Sequence, residues 1–319
     1  MGSMRIERIG VHESVSAVFP PDTLRAELAD RIDDADPVSD PHVAIVGDDD
    51  LSDCDAVVTF EHRDAFLDAV SWVHSIQAGV DRFPFDAFQA AGVVLTNSTG
   101  IHDATVGETV TGYLLSFARR LHRIRDAQRD GEWRPPAWDE PFTLAGERAC
   151  VVGLGTLGRG IAERLDALGM TVTGVRRSGD PVEGVEAVFT PDELEGAIGE
   201  ATFVALAVPL TGETRGLIGA DELSSMRDDA YLVNVSRGGV VDQDALVAAL
   251  QSDDLAGAAL DVFRDEPLPE ESPLWGMDEV IVSPHCAAFT RDYYRDIADL
   301  VETNLARIAA DEALHNRVV

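Results

Sequence analysis

The chain of 319 residues carries 58 acidic and 25 basic side chains, every basic one an arginine, and its formal net charge is −33. This length allows two domains with separate cores, and a hydrophobic fraction of 45% excludes a disordered or fibrous chain. The charge argues against nucleic acids and anionic membranes as partners, because both bind basic surfaces.

The acidic residues are spread between apolar segments, which indicates a folded protein with an acidic surface. Such a surface repels itself in dilute buffer, and molar salt screens the repulsion to a range of about 3 Å. The composition resembles that of proteins from the salt-loaded cytoplasm of haloarchaea. Three cysteines without CxxC spacing, Cys54, Cys150 and Cys286, predict a reducing, cytoplasmic location with neither disulfides nor a structural zinc site. No apolar run has the length of a membrane span or signal-peptide core, and the three residues before Met4 are expected to be a cloning remnant.

Five apolar runs of strand length open the chain, at residues 6–11, 42–46, 56–60, 72–76 and 93–95. Helical or turn segments separate them, including a helix over 23–32 that Pro20 and Pro21 open, and this alternation predicts a small parallel α/β domain. Gly79 and Val80 follow the fourth run closely. Their backbone amides are candidates to face a ligand at the carboxyl edge of the sheet, with a plain turn as the alternative.

A change of domain is expected at residues 97–100, followed by one long helical segment from residue 104 to about 129. The arginine-rich end of this segment, 119–129, is interpreted as a solvated or interface face. Residues 130–141 contain Trp133 and Trp138 and are too irregular for a helix or a strand. These tryptophans are expected either at an interface or buried against their own domain.

Residues 149–158 join an apolar run to a GxGxxG turn with Gly153, Gly155 and Gly158. In a nucleotide-binding βα unit the first glycine permits the tight turn, the second admits a pyrophosphate, and the third lets the helix pack on the strand. A helix over 159–168 and a strand over 171–175 complete the βαβ context that such a match needs. The phosphates are then expected at the helix N-terminus, near Thr156 and Leu157. An ordinary strand-to-helix loop is the alternative.

Arg176, Arg177 and Ser178 follow the second strand of this unit, where a dinucleotide-binding domain discriminates between cofactors. An acidic residue there binds the ribose 2′-hydroxyl of NAD, whereas guanidinium and hydroxyl groups bind the 2′-phosphate of NADP through charge-assisted hydrogen bonds. The sequence therefore predicts NADP(H) in preference to NAD(H). Alternatively, the two arginines only balance an acidic surface.

Four further apolar runs follow, at residues 202–208, 231–235, 257–262 and 280–282. Their near-continuous apolar character is typical of strands buried on both faces. With the two strands of the glycine-rich unit they predict a six-stranded, doubly wound sheet, with helical segments over 242–250 and near 221–225. A last helix, over residues 291–310, is left outside this pattern.

Arg237, Glu266 and His285 each follow one of these strands. Catalytic groups of such a sheet are expected past the carboxyl ends of its strands. An arginine binds and polarises a 2-keto acid, an imidazolium protonates its carbonyl oxygen, and a carboxylate orients the imidazole and favours its protonated form. The set predicts hydride transfer to a 2-keto acid. Each residue also has a structural explanation. Arg237 could form a surface ion pair, Glu266 is one of many acids in the chain, and His285 could be a loop histidine with its hydrogen bonds made within the protein.

Two neighbours of this set have more than one interpretation. Asp261 ends its own strand, and its carboxylate suits either a hydrogen bond to a nicotinamide carboxamide or a cap on the following loop. Cys286, beside His285, suggests a thiol mechanism. We disfavour that mechanism because neither a second acid/base pair nor an acyl-transfer motif accompanies the cysteine.

Five motifs occur in a fixed order, at residues 152–158, 208–214, 234–239, 261–269 and 283–285. Together they are similar to the D-2-hydroxyacid dehydrogenase family, above all to its glyoxylate/hydroxypyruvate reductase branch, over nearly the whole chain. The family pattern is broken at two places. Arg176 stands where many members have Asp, and residues 286–288 replace the usual small and glycine-bearing residues after the histidine.

The resemblance implies an α/β fold of two doubly wound parallel-sheet domains, with a Rossmann cofactor domain over 99–288 inserted into a flavodoxin-like substrate domain made of 1–98 and 289–319. It implies catalytic roles for Arg237, Glu266 and His285, and binding of the substrate carboxylate by the amides of Gly79 and Val80. The further cofactor contacts are Val106, Val208, Pro209, Thr214, Val235, Ser236 and Asp261. A homodimer formed through the cofactor domain and the arm before it is also implied.

We therefore predict an NADP(H)-preferring D-2-hydroxyacid dehydrogenase that acts on a small 2-keto acid with His285 as the acid/base group. The D configuration follows from the resemblance alone. The alternatives are an NAD-linked D-lactate or phosphoglycerate dehydrogenase and a non-enzymatic, dinucleotide-sensing protein of the corepressor kind.

Overall fold

The computed structural model describes residues 4–35 and 41–319, so the three residues before Met4 lie outside it. The chain divides into two compact units, one made of the residues up to Ile101 with Phe289–Val319, the other of His102–Ala288. The chain passes from the first unit to the second after Ile101, whereas the predicted boundary followed residue 98. The reason is that Ser98 and Thr99 still bond within the first unit, Ser98 Oγ to the Ser75 carbonyl at 2.9 Å and the Thr99 carbonyl to Asn316 Nδ2 at 2.6 Å.

The first unit contains a five-stranded parallel sheet in the order β2-β1-β3-β4-β5. This is the flavodoxin-like order that was predicted. The strands are β1 (Arg8–His12), β2 (His42–Val46), β3 (Ala56–Thr59), β4 (Trp72–Ser75) and β5 (Val94–Thr96). The helices that precede the second unit are α1 (Pro21–Ala35), α2 (Phe66–Ala69) and α3 (Phe85–Ala91).

The second unit contains a seven-stranded parallel sheet in the order β12-β11-β10-β9-β6-β7-β8. Its strands are β6 (Arg148–Val152), β7 (Thr171–Val175), β8 (Ala187–Phe189), β9 (Phe203–Leu206), β10 (Tyr231–Asn234), β11 (Gly257–Leu260) and β12 (Val280–Val282). The prediction of six strands was wrong because it missed β8. That edge strand has three half-buried residues, of which only Val188 is β-branched, whereas the equally short β12 consists of Val, Ile and Val and was predicted.

Helices cover both faces of the second sheet, which explains its continuous apolar strands. They are α4 (Asp103–Ala118), α5 (Leu121–Arg129), α6 (Thr156–Ala167), α7 (Leu194–Ile198), α8 (Ala220–Ser225) and α9 (Gln243–Gln251). Val110 of α4 and Ile161 of α6 pack on one face with Val151, whereas Ile198 of α7 and Leu246 of α9 pack on the other.

The single helix expected from residue 104 to 129 is two helices, α4 and α5. The backbone turns at Arg120, which has a left-handed φ of 56°, and its guanidinium donates to the Tyr231 hydroxyl at 2.8 Å. The apolar face of α4 ends at Ala118, and α5 buries only Ala127. No continuous apolar stripe therefore supports one straight helix.

The segment after α5 exposes both of its tryptophans. Trp133 is 99% exposed and Trp138 is 94% exposed. Residues 130–141 contain neither helix nor strand, as predicted. The alternative that these tryptophans are buried against their own domain was wrong, since the side chains extend from an irregular segment that packs little of its own surface.

The chain returns to the first unit with α10 (Tyr293–Ala309). On one face of the five-stranded sheet, Ile297 of α10 packs with Leu28 of α1 and Val11 of β1. The Tyr293 hydroxyl donates to the Ile76 carbonyl at 2.5 Å, and the Val318 amide donates to the Leu95 carbonyl at 2.8 Å. Helix α10, which the sequence predicted over 291–310 outside the pattern of the second sheet, therefore completes the first unit. None of the helices in the described ranges has the length and apolarity that a bilayer crossing requires.

Candidate active site

The glycine-rich turn joins β6 to α6, and its shape requires glycine at two positions. Gly153 has a left-handed φ of 98°, and a Cβ there would lie 2.6 Å from the Ala207 carbonyl oxygen. A Cβ on Gly158 would overlap the carbonyl oxygen of Gly153. Gly155 differs, because no described atom lies within 4 Å of its Cβ position. The turn therefore leaves open space next to the N-terminus of α6, as a pyrophosphate site needs.

A cavity of about 740 Å³ lies at the carboxyl ends of β6, β7 and β9 in the second unit. Its walls are the glycine turn, the end of β7 and residues 207–214. The volume suits a ligand the size of a nucleotide. Predicted cofactor residues that line it are Gly153, Gly155, Arg176, Arg177, Ser178, Val208, Pro209 and Thr214.

The other predicted cofactor residues do not line this cavity. Thr156, Leu157 and Gly158 form the first turn of α6, and Val106 is buried on α4. Val235 and Ser236 follow β10, and Asp261 follows β11. Five residues that were not predicted as cofactor contacts also line the cavity: Pro191, Leu194, Thr211, Glu213 and Leu217. Of these, Thr211 and Glu213 lie within the motif 208–214, where the Thr214 hydroxyl donates to the Pro209 carbonyl at 2.5 Å.

His285 and Glu266 are in direct contact. His285 Nδ1 lies 2.8 Å from Glu266 Oε2, and the two side chains are about 30% and 26% exposed. The other carboxylate oxygen, Oε1, accepts from the Phe263 amide at 3.1 Å, which fixes the direction of the carboxylate. With Nδ1 on the carboxylate, Nε2 is the imidazole nitrogen that can exchange a proton with a substrate.

Arg237 lies at the end of β10, next to β11 in the sheet, while β11 in turn pairs with β12. Arg237, Glu266 and His285 therefore follow three adjacent strands. The Asn234 side chain braces the turn at Arg237: its Nδ2 donates to the Arg237 carbonyl at 3.1 Å and its Oδ1 accepts from the Ser236 hydroxyl at 2.7 Å. The Arg237 guanidinium donates to the Ser236 carbonyl at 2.8 Å.

Asp261 caps the loop that carries His285, which is one of its two predicted roles. Its Oδ1 accepts from the Ser283 hydroxyl at 2.7 Å and from the Cys286 amide at 2.9 Å. Its Oδ2 accepts from the Ala287 amide at 2.9 Å. Asp261 is only 2% exposed, so its carboxylate acts within the protein.

The neighbouring thiol and the buried imidazoles are less suited to proton transfer than His285. Burial raises the pKa of the Cys286 thiol, which keeps it protonated. Burial lowers the pKa of His74 to about 3 and that of His102 to about 4, so both are neutral at physiological pH. In the part of the chain that the structure describes, no cluster of three or more His, Cys, Asp or Glu side chains could hold a metal ion.

The loop after β4 holds Gly79 and Val80 in the first unit. Asn97 Nδ2 donates to the Ala78 carbonyl at 2.7 Å, and Val80 is buried. Behind the loop, His74 bonds to Thr96 Oγ1 at 2.8 Å and to Ser98 Oγ at 3.2 Å. The Asn97 side chain thus holds the backbone that leads to the two predicted amides.

A parallel sheet with an open glycine turn, a nucleotide-sized cavity and a carboxylate-paired imidazole defines the class of dinucleotide-dependent oxidoreductases. Residues 111–287 match the family model described as D-isomer specific 2-hydroxyacid dehydrogenase, NAD binding domain. The chain belongs to this family. It is 34% identical to a glyoxylate reductase from Korarchaeum cryptofilum over 84% of this chain and 83% of that protein.

Solved structures agree in fold over nearly the full length. A D-isomer specific 2-hydroxyacid dehydrogenase from Xanthobacter autotrophicus, in complex with NADPH and MES, is 32% identical with a TM-score of 0.80, and 98% of each chain is covered. An NADPH-dependent glyoxylate/hydroxypyruvate reductase from Sinorhizobium meliloti, in complex with NADP and sulfate, is 27% identical with a TM-score of 0.79, again over 98% of each chain. The predicted family and fold are confirmed.

Proposed function

We propose that this D-2-hydroxyacid dehydrogenase reduces a small 2-keto acid, such as glyoxylate or hydroxypyruvate, with NADPH. The observation that carries the proposal is the 2.8 Å contact between His285 Nδ1 and Glu266 Oε2, at the edge of the sheet where Arg237 also lies. When bound, the nicotinamide supplies the hydride. The chain supplies the proton and the charge that the keto group requires.

In this proposal His285 protonates the carbonyl oxygen through Nε2. Glu266 holds the imidazole in the required tautomer and favours its charged form. Arg237 binds the substrate carboxylate and polarises the keto oxygen, because a guanidinium can make two parallel hydrogen bonds. By resemblance to the family, the amides of Gly79 and Val80 are substrate contacts of the first unit, and Val106, Val235 and Asp261 are nicotinamide-side residues.

The direct test is consumption of NADPH or NADH with glyoxylate, hydroxypyruvate, pyruvate and longer 2-keto acids, in dilute and in concentrated KCl. We propose that the protein works in a salt-rich cytoplasm, so concentrated KCl is expected to support the higher activity. Equal activity in dilute buffer would argue against salt adaptation. Cofactor binding without turnover of any keto acid would instead favour the dinucleotide-sensing alternative, and a preference for NADH would favour the NAD-linked alternative.

The proposed NADP preference depends on Arg176, Arg177 and Ser178, which line the cavity at the end of β7. Replacing both arginines with alanine is expected to weaken NADPH binding by about 10²-fold, because charged hydrogen bonds contribute about 1.5–3 kcal/mol. NADH binding should change less than about threefold, since NADH has no 2′-phosphate. Titration of both cofactors by fluorescence measures the two dissociation constants.

A matched control removes the same charge elsewhere, as Arg227→Ala with Arg295→Ala. These two arginines pair with Asp229 and Asp292 on the surface. The control variant should leave the ratio of the two affinities unchanged. An equal loss of NADPH and NADH binding in the Arg176/Arg177 variant would show that the arginines do not discriminate between the cofactors.

We also propose a homodimer that buries Trp133 and Trp138. Their nearly complete exposure, with Leu121 and Ile124 partly exposed on α5, supports an apolar surface that a second copy covers. Burial of a tryptophan removes about 200 Å² from water, worth about 5 kcal/mol. Replacing both tryptophans with serine is therefore expected to raise the dimer dissociation constant by at least about 10³-fold.

Light scattering coupled to gel filtration measures this change across protein concentration. Trp275→Ala is the control, because Trp275 is 56% exposed but lies outside the segment 130–141. It should leave the assembly intact. A wild-type protein that stays monomeric, or a double variant that stays dimeric, would contradict the proposed interface.

A further inference from the structure

A chain of hydrogen bonds leads from helix α4 to the loop that carries His285. The Tyr113 hydroxyl lies 2.6 Å from Ser283 Oγ, and Ser283 Oγ lies 2.7 Å from Asp261 Oδ1. The Asp261 carboxylate in turn accepts from the amides of Cys286 and Ala287, both at 2.9 Å. All five residues belong to the second unit.

The direction of the chain follows from the number of protons. A serine hydroxyl has one proton, and here it is donated to the Asp261 carboxylate. Tyr113 must then donate to Ser283. Burial raises the pKa of Tyr113 to about 12, so its phenol keeps this proton at any pH near neutral. The Tyr113 hydroxyl therefore donates to Ser283, and Ser283 donates to the Asp261 carboxylate. Hydrogen bonds linked in this way strengthen one another.

The backbone at the end of this chain adopts a conformation that needs support. His285 has a left-handed φ of 52°, which is unfavourable for a residue with a Cβ. Its amide donates to the Asp261 carbonyl at 2.8 Å. The next two amides converge on the Asp261 carboxylate, as in a backbone nest that binds an anion. Asp261 therefore holds the peptide planes on both sides of His285.

Helix α4 contacts this loop a second time. Thr109, one turn before Tyr113, donates to the Ala287 carbonyl at 2.9 Å. The two hydroxyls are four residues apart, so they lie on the same face of the helix. One reaches Ser283 and the other reaches Ala287. Helix α4 is thus hydrogen-bonded to both ends of the segment 283–287, which contains His285.

We propose that Tyr113 is a positioning residue for the reaction, acting through Ser283 and Asp261 to keep His285 aligned with Glu266. The proposal rests on the proposed acid/base role of His285. Tyr113 is not a ligand of the reacting atoms. Its hydroxyl fixes the rotamer of Asp261, and Asp261 fixes the backbone from which the imidazole extends. Small displacements of a catalytic group have large kinetic effects, which is why such support matters.

The test is Tyr113→Phe, which removes only the hydroxyl. We expect kcat for keto acid reduction to fall by about 10–30-fold, while the dissociation constant of NADPH changes less than about twofold because Tyr113 does not line the cavity. The pH profile of kcat should also change, since the imidazole no longer keeps its fixed distance from Glu266. A purely structural role would lower the melting temperature and leave kcat per folded molecule and the pH profile unchanged. That result would overturn the proposal.

Two further variants test the chain of hydrogen bonds from Tyr113 to Asp261. Ser116→Ala removes a half-buried hydroxyl one turn after Tyr113, which donates along the helix to the Gly112 carbonyl, and it should leave kcat unchanged. Ser283→Ala should reproduce the kinetic loss, and the double variant with Tyr113→Phe should be no slower than Ser283→Ala alone. Multiplying losses would mean that the two hydroxyls act independently, and would overturn the proposed chain.

His285→Ala, measured in the same series, separates this proposal from the function on which it rests. If His285→Ala keeps full turnover, the proposed acid/base function fails. If His285→Ala is inactive while Tyr113→Phe keeps wild-type kcat and pH profile, only the positioning role fails.

Discussion

Replacing His285 with alanine is expected to lower kcat for keto acid reduction by roughly 10³-fold, within the range of general acid catalysis. The reason is that Nε2 is the proton donor of the proposed mechanism, and the alanine side chain has no group that can replace it. Steady-state consumption of NADPH with glyoxylate or hydroxypyruvate measures the loss.

Cofactor affinity should separate this variant from a misfolded one. His285 does not line the 740 Å³ cavity, so the NADPH dissociation constant of His285→Ala is expected to stay within about threefold of wild type. His42→Ala, an exposed imidazole on β2 of the first unit, is the control and should retain full activity. Retention of most of the turnover by His285→Ala would contradict the assignment of the proton donor.

Replacing Gly158 with alanine is expected to destabilise the protein by about 3 kcal/mol and to abolish measurable NADPH binding. The new methyl group would occupy the position of the Gly153 carbonyl oxygen, which is backbone and cannot rotate away. Either the helix moves off the strand or the turn opens. Chemical denaturation and cofactor titration measure the two effects.

Two other glycines make this prediction specific. Gly155→Ala has open space for its methyl group, so it should fold normally and weaken NADPH binding by more than about tenfold, since that space is where the pyrophosphate would lie. Gly112→Ala lies exposed within α4, and its Cβ meets no described atom within 4 Å. It should raise stability by about 0.5–1 kcal/mol. A stable Gly158→Ala variant with normal affinity would show that the turn has a different shape in solution.

Much of the fold could be predicted from the sequence because its strands are apolar and regularly separated by helices. Edge strand β8 was missed because only one of its three residues is β-branched, unlike those of the equally short β12. The break at Arg120 escaped for a different reason. The sequence favours a helix through residues 119–129, but the buried face of α4 ends at Ala118. Tertiary contacts decide such boundaries.

Only part of the candidate site could be predicted from the sequence. His285 and Glu266 were predicted as a pair because both follow strand ends of one sheet, and their contact is direct. The sequence left two roles open for Asp261, and its three accepted hydrogen bonds show the loop cap. Tyr113 had no signal at all. It lies within a helix, 170 positions from Ser283 in the chain, and the geometry of α4 alone brings the two hydroxyls together.

The first unit is built from two segments that lie far apart in the chain, and this has a consequence for its biosynthesis. Residues 102–288 form a unit that is continuous in the chain, whereas Leu28 and Val11 of the first unit pack against Ile297 of α10, which is synthesised about 270 residues later. At translation speeds of about 5–20 residues per second, that delay is on the order of ten seconds or more. During this interval the first unit exposes the part of its apolar face that α10 later covers.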